Sequence, residues 1–314
     1  MNPENIPDSV KKQLLHGLSL THDGIGIFDA EDRLVYCNRV LASMFSLSPE
    51  DATGLSFEEL MRHSFNSVSG VKLDSNSVES WLRMANRLRR SKKFRSFEVD
   101  YQDGRWFLVT EHTAEDKSIL VFCSEITEQK RNERELNHLN EQLEILANFD
   151  SLTGIYNRRH FLDQAAHEIS RCARESSDLA MIMLDLDHFK LINDNYGHEI
   201  GDQVLVGSVQ RIKSQLRDYD LFGRLGGEEF AILLPGSDIE DGVDIGSRIA
   251  NQLQLHPLET RAGEISMTCS VGVAQYNHHG GSLGELLDTA DQYLYQAKQT
   301  GRNRVVGKPL ANEE

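Results

Sequence analysis

The chain has 314 residues, of which 39% are hydrophobic and 26% are charged, and its formal net charge is −16. This length favours two domains, and the composition is that of an ordinary globular protein. The negative charge argues against a general nucleic-acid binder, because the affinity of such proteins rests on neutralising phosphates. It still allows a small nucleotide, which a few focused cations can hold.

The sequence contains no candidate membrane span and no visible secretory signal. No apolar run approaches the roughly 18 residues of a spanning helix, and the first residues lack an apolar segment with a basic flank and a cleavage site. The four cysteines are scattered without a CxxC pair, which indicates buried thiols in a reducing compartment: Cys37, Cys123, Cys172 and Cys269. We therefore expect a cytoplasmic protein with no membrane partner.

Residues 11–125 are predicted to form one module. A strand at 25–28 is followed by a polar turn, a strand at 34–37 and a helix that Asn38 caps. Two later strand-like stretches are joined by Asp103-Gly104, which is typical of a hairpin turn. A strand pair, short helices and a three-stranded meander together indicate an α+β sensor domain.

This pattern resembles a PAS domain, and "EITEQKR" (125–131) is similar to the segment with which PAS domains commonly pass into a helix. The resemblance leaves the PAS ligand unknown: haem, flavin, a small acid or no ligand all fit the fold. The basic run at 83–95 is predicted to be a solvated helix face. Four histidines lie in or near the module, and none is assigned as an axial ligand: His16, His22, His63 and His112.

Residues 126–149 are predicted to form a signalling helix. Leu136, Leu139, Leu143 and Leu146 are spaced 3, 4 and 3 residues apart, which is the a/d rhythm of a coiled coil. An amphipathic helix packed on its own domain fits the same stripe. Because the segment lies between two folded domains, we favour a parallel dimeric helix and a homodimer formed through the linker coiled coil and the PAS module.

Residues 150–310 are predicted to form a second domain with a β-α-β-β-α-β order, which fits a ferredoxin-like sheet. "DLAMIMLDLD" (178–187) is apolar until the acids at its end, as in a buried strand. The later elements are a helix after Gly201-Asp202, a hairpin at 221–234, a helix at 242–255, a strand at 265–274 and a final helix.

The topology predicts that acidic residues converge at one edge of this sheet. The first strand should pair antiparallel with the second strand of the hairpin, so that Asp185 and Asp187 approach Glu228 and Glu229. Gathered carboxylates cost stability unless a cation neutralises them, and oxygen ligands suit Mg²⁺. By itself, "RLGGEEF" also fits a tight turn with solvated acids. The Gly226-Gly227 turn, which lets phosphate approach the backbone, favours the metal site.

The second domain resembles a GGDEF domain, the catalytic domain of diguanylate cyclases. The matching stretches are "DSLTGIYNRRHF" (150–161), "LDLDHFKLINDNYGHEIGD" (184–202), "RDYDLFGRLGGEEF" (217–230), "SVGVA" (270–274) and "ADQYLYQAKQTGRNRV" (290–305). Position 228 is Glu where the family name has Asp, and both residues occur in active members. The resemblance implies condensation of two GTP molecules to cyclic di-GMP with release of two pyrophosphates.

The resemblance also implies the catalytic and metal residues. Asp185, the backbone carbonyl of Leu186 and Glu228 are expected to hold Mg²⁺ (or Mn²⁺), and Glu229 to support the metal site. Glu228 is further expected to help deprotonate the 3′-hydroxyl that attacks the α-phosphate of the other GTP.

Other positions match the family's substrate contacts. Asn193 and Asp202 match its guanine readers, and both also fit helix caps. Lys298 and Arg302 are four residues apart on the predicted last helix, so they should share a face and reach the β- and γ-phosphates. The remaining substrate-binding candidates are Phe189, Lys190, Gly226, Gly227 and His198, the last of which we interpret as structural before catalytic.

"RDYD" matches the RxxD motif at which many family members bind their product as an inhibitor. Arg217, Asp220 and Arg248 are the corresponding residues, and an ordinary salt bridge at a helix end is the plainer alternative. The fold class is predicted to be α+β/α-β, with an N-terminal PAS-like sensor domain, a helical coiled-coil linker and a C-terminal GGDEF domain with a ferredoxin-like βαββαβ core.

Three alternatives to a diguanylate cyclase remain open at this point. The domain could be an inactive GGDEF receptor for GTP or cyclic di-GMP, although such members usually lack a metal carboxylate or the glycine pair. It could be another nucleotidyl cyclase with a different product, or a dimeric signalling scaffold with vestigial catalysis. Asn193 and Asp202 favour guanine over another base, and a turnover assay separates the scaffold from a diguanylate cyclase at once.

Overall fold

The computed structural model describes residues 7–67, 70–72, 77–276 and 281–307. The chain divides into two compact units, Met1–His138 and Leu139–Glu314. Within the described segments, no helix is both long and apolar enough to cross a membrane.

The first unit contains a five-stranded antiparallel sheet. Its strands are β1 (Gly24–Phe28), β2 (Leu34–Cys37), β3 (Phe94–Asp100), β4 (Trp106–Thr113) and β5 (Ile119–Glu125). They are arranged in the order β2-β1-β5-β4-β3. The helices are α1 (Asp8–Leu20), α2 (Arg39–Met44), α3 (Pro49–Ala52), α4 (Phe57–Phe65) and α5 (Val78–Leu88).

Local sequence accounts for the two ends of this sheet. The Asn38 side chain accepts hydrogen bonds from the backbone N–H groups of Leu41 and Ile25, both at 3.0 Å, so it caps α2 as predicted and fixes the helix beside β1. The β3–β4 hairpin turns through Gly104, whose φ of 85° lies in the region that glycine adopts without strain. The predicted strand pair and meander are therefore confirmed.

The prediction of a solvated face for the basic run 83–95 is wrong at Arg89. Arg83 and Arg87 are exposed, but the Arg89 side chain is only 4% exposed and forms ion pairs of 2.8 Å with Asp32 and Glu111. Arg89 directly follows α5, so it leaves the exposed face on which the helical arginines lie. The charge run thus contains one core residue.

A long helix, α6 (Thr127–Asn148), follows the first sheet. Its first turn is attached to the sheet, because the Thr127 hydroxyl accepts a hydrogen bond of 2.9 Å from the Trp106 N–H and Lys130 forms an ion pair of 2.9 Å with Glu98. The four leucines of the predicted coiled-coil stripe are all exposed, at 48–70%: Leu136, Leu139, Leu143 and Leu146.

The second unit is a six-stranded mixed sheet with helices on both faces. Its strands are β6 (Tyr156–Asn157), β7 (Leu179–Leu186), β8 (Leu221–Gly226), β9 (Glu229–Pro235), β12 (Cys269–Gln275) and β13 (Val305–Gly307), and a separate hairpin consists of β10 (Leu258–Thr260) and β11 (Gly263–Ile265). The helices are α7 (Arg158–Glu175), α8 (Phe189–Tyr196), α9 (His198–Lys213), α10 (Ile239–Leu255) and α11 (Leu283–Gln299).

The strand order β13-β12-β7-β9-β8-β6 contains the predicted ferredoxin-like core in its four middle strands. Every residue of β7 is buried, and alternate side chains pack toward α9 and α10 on one face and α7 and α11 on the other. Three predicted boundaries are corrected: α9 begins at His198, α10 begins at Ile239, and β12 begins at Cys269. The α+β fold class is confirmed.

Candidate active site

The predicted convergence of carboxylates occurs where β7 ends and β9 begins. Asp185 lies opposite Glu229 in the antiparallel pairing, and the Leu186 N–H donates a hydrogen bond of 3.3 Å to the Glu228 carbonyl. Residues from two distant parts of the chain therefore meet at one edge of the sheet. Asp185 is buried, Glu228 is half-buried and Glu229 is exposed.

Asp185 is neutralised by a lysine of the last helix. The Lys298 ammonium forms an ion pair of 2.8 Å with the Asp185 Oδ2 atom. Burial raises the pKa of the Asp185 carboxyl, the Lys298 interaction opposes this change, and the charges of Glu228 and Glu229 reinforce it. The structure thus brings together two predicted site residues, the metal ligand Asp185 and the phosphate contact Lys298.

Asp187 does not belong to this carboxylate group, contrary to the sequence prediction. Its two oxygens accept hydrogen bonds of 2.8 Å from the Thr268 hydroxyl, 2.7 Å from the Ser270 hydroxyl and 3.0 Å from the Asn303 N–H. Asp187 comes just after the end of β7, at 4% exposure, and it anchors the loop that follows α11. Its role in the structure is to hold that loop against the sheet.

The Gly226-Gly227 turn is held by residues that the sequence analysis did not single out. The Arg224 Nε donates 2.8 Å to the Gly227 carbonyl, and its Nη1 donates 3.0 Å to Asp150. Burial alone would raise the pKa of Asp150, but hydrogen bonds from Thr153 and Arg224 outweigh burial and lower it. Both residues lie inside the quoted motifs, but only the fold shows that they meet.

The substrate-binding candidates of α8 and α9 lie on two consecutive helices. Phe189 is buried, Asn193 is half-buried, and Lys190, His198 and Asp202 are exposed. A Cβ on Gly201 would come within 1.9 Å of the Asn193 Oδ1, so the glycine leaves the space that this side chain occupies.

The alternative reading of Asn193 and Asp202 as helix caps is wrong. Asn193 lies within α8, and Asp202 is the fifth residue of α9. The residues before these helices are His188 and Gly197, and neither makes a side-chain capping hydrogen bond. The two polar side chains are therefore not explained by helix capping.

Arg302 does not share a helix face with Lys298, because α11 ends at Gln299. Arg302 lies in the following turn with a φ of 58°, and its N–H donates 3.0 Å to the Ala297 carbonyl. The predicted helical spacing is therefore wrong for this pair. Arg302 is exposed on the loop that Asp187 anchors.

The three predicted inhibitory residues lie near the C-terminal end of α9. Asp220 accepts a hydrogen bond of 2.7 Å from the backbone N–H of Arg217, while the Arg217 guanidinium contacts the Tyr219 hydroxyl at 2.9 Å. Arg248 donates 3.3 Å to the Gln215 carbonyl. Burial raises the pKa of Asp220, and its Oδ1 is buried with no hydrogen-bond partner in the described part of the chain.

The donor set at the sheet edge fits a hard divalent cation. Within the described residues, no three His, Cys, Asp or Glu side chains form a group that could hold a metal. The predicted ligands need only two carboxylates, Asp185 and Glu228, together with the Leu186 carbonyl, and such oxygen donors suit Mg²⁺ or Mn²⁺. The contact with the Lys298 ammonium shows that Asp185 already faces a cation.

Comparisons with known proteins agree with both units. The family model "Diguanylate cyclase, GGDEF domain" matches residues 147–304, and a PAS fold model matches residues 18–134. The probable diguanylate cyclase DgcC of Escherichia coli K12 is 36% identical over 163 residues, which cover 52% of this chain and 44% of DgcC. The chain thus spans less than half of that relative.

Two further similarities extend this result. A diguanylate cyclase of Vibrio cholerae O395 is 29% identical over 292 residues, covering 92% of this chain and 88% of the relative. The crystal structure of the coiled coil and GGDEF domain of DgcB from Caulobacter crescentus, in complex with c-di-GMP, has a TM-score of 0.55 at 26% identity and covers 58% of this chain and 97% of that one. This chain belongs to the GGDEF domain family and carries a PAS fold ahead of that domain.

Proposed function

We propose that this protein is a diguanylate cyclase that condenses two GTP molecules into cyclic di-GMP and releases two pyrophosphates. The protein would consist of three parts: a sensor domain (11–125), a signalling helix (126–149) and a cyclase domain (150–310). The observation that carries the proposal is the meeting of Asp185 with Glu228 and Glu229 beside the Gly226-Gly227 turn. Relatives that are named diguanylate cyclases support it.

The sheet edge supplies the groups that phosphoryl transfer needs. Asp185, the Leu186 carbonyl and Glu228 would hold a divalent cation, and Glu229 adds negative charge beside them. When bound there, the cation would supply Lewis-acid polarisation of the α-phosphate and charge stabilisation for the departing pyrophosphate. Glu228 helps to remove the proton of the 3′-hydroxyl, whose oxygen forms the new bond to the α-phosphorus as the bond to pyrophosphate breaks.

The neighbouring helices and loops position the nucleotide. Asn193 and Asp202 bind the guanine edge, for which an amide and a carboxylate supply matching donors and acceptors. Phe189 packs beside the nucleotide, the Gly226-Gly227 turn gives phosphate access to the backbone, and His198 supports the α8–α9 junction. Three cations contact the phosphates: Lys190, Lys298 and Arg302. Lys298 must then exchange its Asp185 contact for phosphate when metal and nucleotide bind.

The reaction needs two cyclase domains that face each other, because each holds one GTP. The exposed leucine stripe of α6 supplies a surface for a parallel homodimer. Both ends of this helix are held: Thr127 bonds the first sheet, and the Ala147 carbonyl accepts 2.8 Å from the Asn157 side chain of the second unit. A change in the PAS domain can therefore alter the coil.

Replacing Leu139 and Leu143 together by Gln tests this arrangement. We expect the dimer to dissociate in light scattering and cyclase activity to fall at least tenfold at micromolar protein. Exchanging the exposed Glu141 and Glu144 for Gln is the matched control on the same helix, and it should preserve the dimer. An active dimer of the leucine variant would show that α6 does not join the subunits.

The decisive experiment is chromatography of the products after incubation with GTP and Mg²⁺, for the wild type and for Glu228→Gln. We expect cyclic di-GMP and pyrophosphate from the wild type and at least a hundredfold less from the variant, because Gln retains the size but not the charge. Glu259→Gln, an exposed acid on β10, is the control. A wild type that binds GTP or cyclic di-GMP without turnover would instead be a receptor.

Product inhibition completes the proposal. Arg217, Asp220 and Arg248 bind cyclic di-GMP, with arginine forks directed to guanine and phosphate and the carboxylate to the guanine amino group. The Oδ1 of Asp220, which has no hydrogen-bond partner in the described structure, supports this role. The guanidinium groups of Arg217 and Arg248 also support it, because each makes one hydrogen bond that the structure shows.

We also propose that the protein is cytoplasmic, which the four buried, free cysteines support. Cell fractionation that recovers it elsewhere would contradict this location.

A further inference from the structure

The first unit contains a partly open cavity of about 280 Å³. Its walls are the inner face of β3, β4 and β5, together with side chains of β1 and of helices α2, α4 and α5. Most of these side chains are apolar, among them Phe28, Phe57, Trp81 and Val109. An apolar protein cavity of roughly 150 Å³ can hold benzene, so this one has room for a larger aromatic or aliphatic molecule.

Six charged side chains also line the cavity: Lys72, Arg89, Arg95, Glu98, Asp100 and Glu111. Among these six, Arg95 and Glu111 are the two that have a buried atom without a hydrogen bond in the described structure. Arg95 on β3 and Glu111 on β4 are directly opposite each other in the sheet and both line the cavity. The Arg95 Nη1 and the Glu111 Oε2 lie 3.3 Å apart, which allows electrostatic attraction. Both atoms are nevertheless buried without a hydrogen-bond partner in the described structure, because the geometry of their approach does not form one.

Arg89 cannot satisfy these atoms. Its Nε and Nη2 donate to Asp32, its Nη1 donates 2.8 Å to the other oxygen of Glu111, and its guanidinium lies 3.9 Å from the ring centre of Phe57. Glu111 therefore accepts a hydrogen bond through one oxygen, while its second oxygen has only the ion-pair contact with Arg95. A buried donor or acceptor without a hydrogen bond is destabilising, so this pair favours a molecule that supplies both missing bonds.

We propose that the PAS cavity binds a small, uncharged, mainly apolar molecule that carries one primary amide or hydroxyl group. The group donates a hydrogen bond to the Glu111 Oε2 and accepts one from the Arg95 Nη1. An amide offers its donor and acceptor side by side, as the two protein atoms are. A hydrocarbon of the same shape leaves both atoms unsatisfied, and a carboxylate brings a second negative charge against Glu111.

The position of this polar pair also suggests how binding reaches the rest of the protein. Arg95 and Glu98 are on the same strand, and Glu98 forms the ion pair of 2.9 Å with Lys130 in the first turn of α6. Trp106, on the same strand as Glu111, donates to Thr127 of that turn. Control of cyclase activity through these contacts rests on the proposed function, whereas binding to the cavity does not.

Selectivity among four probes that each contain one benzene ring tests the proposal on the 314-residue chain. Titration calorimetry and thermal shift are measured with benzamide, benzyl alcohol, toluene and benzoate. We expect benzamide and benzyl alcohol to bind at least tenfold more tightly than toluene, and benzoate to bind most weakly. Equal affinity for benzamide and toluene, preference for benzoate, or no binding of any probe would overturn the proposal.

Two variants locate the selectivity. Arg95→Met keeps the length and apolar character of the side chain but removes the donor, so the preference for benzamide over toluene should fall at least tenfold while toluene still binds. Glu111→Gln removes the negative charge, so the discrimination against benzoate should shrink. Arg87→Met changes an exposed arginine outside the cavity and should leave all four affinities unchanged. Unaltered selectivity in Arg95→Met would place the probes elsewhere, even if Glu111→Gln fails to fold.

Discussion

Two clusters of charged side chains, one in each unit, differ in how fully their charges are paired. In the first unit the Arg89 side chain is 4% exposed, and each of its three guanidinium nitrogens donates to Asp32 or Glu111. At the sheet edge of the second unit Asp185 has a single lysine partner. Glu228 and Glu229 form no ion pair with any described residue. Arg89 thus has a carboxylate partner for each of its guanidinium nitrogens, whereas the carboxylates at the sheet edge outnumber the cations beside them.

The difference shows which charges serve stability and which serve function. A buried ion pair is stable only as a complete set, since removal of one partner leaves an uncompensated charge. Carboxylates that gather without enough cations repel each other and oppose folding, which a protein tolerates where a ligand restores the balance. We therefore expect loss of Arg89 to destabilise the first unit, and loss of a carboxylate at the sheet edge of the second unit to abolish cyclase activity.

Arg89→Met should have the largest effect on stability. It leaves Glu111 and Asp32 without their main partner, which for a broken buried pair costs about 3–5 kcal/mol. Urea unfolding followed by circular dichroism should show an early transition of the first unit. Arg87→Met, on the exposed face of α5, should change stability by no more than about 0.5 kcal/mol. A wild-type unfolding curve for Arg89→Met would mean that the buried pairs contribute nothing net.

The second prediction concerns two aspartates at one strand end. Asp187→Ala removes the acceptor for Thr268, Ser270 and the Asn303 N–H, so unfolding free energy should fall by about 1–3 kcal/mol. Asp185→Asn removes a carboxylate whose pKa burial raises. Because the fold disfavours that charge at neutral pH, its loss should leave stability equal or higher, by less than about 1 kcal/mol.

The same two variants should rank in the opposite order when their cyclase activity is measured. Asp185→Asn should lose cyclic di-GMP formation almost completely, whereas Asp187→Ala should retain measurable activity below its unfolding temperature. Unfolding in urea and product chromatography on the same preparations give both quantities. The assignment of Asp185 to catalysis and of Asp187 to stability would be wrong if Asp185→Asn were the less stable variant or Asp187→Ala the less active one.

Much of this architecture could be predicted from the sequence because its signals are local or topological. The apolar run that becomes β7 and the turn at Gly226-Gly227 predict the core, and β-sheet pairing then brings Asp185 to Glu229. Charge patterns were less informative. Arg89 belongs to a basic run whose arginines on α5 are exposed. Only the tertiary fold places Asp32 and Glu111 beside Arg89.

The errors at the site have equally definite causes. Asp187 follows Asp185 at the spacing of one strand face, but β7 ends between them, and the partners of Asp187 come from residues 268–303. Arg302 has helical spacing from Lys298, yet α11 ends at Gln299 and Gly301 follows with a φ of 119°. Side-chain spacing predicts a shared face only while the element continues.

Arg217→Ala should have the smallest effect on stability, because its side chain is exposed and its guanidinium contacts only the Tyr219 hydroxyl and ring in the described structure. The unfolding free energy should change by no more than about 0.5 kcal/mol. If Arg217 binds the product, its loss should instead change the time course of cyclic di-GMP formation. We expect cyclic di-GMP to accumulate to a higher plateau than in the wild type.

Added cyclic di-GMP should also inhibit Arg217→Ala at least tenfold less effectively. Lys213→Ala, an exposed cation at the end of α9, is the control, and its plateau should equal that of the wild type. An unchanged plateau in Arg217→Ala would assign this arginine to an ordinary surface turn. A higher plateau with unchanged stability would mean that the RxxD residues, like the carboxylates at the sheet edge, serve ligand binding rather than stability. Their ligand would be the reaction product rather than a metal.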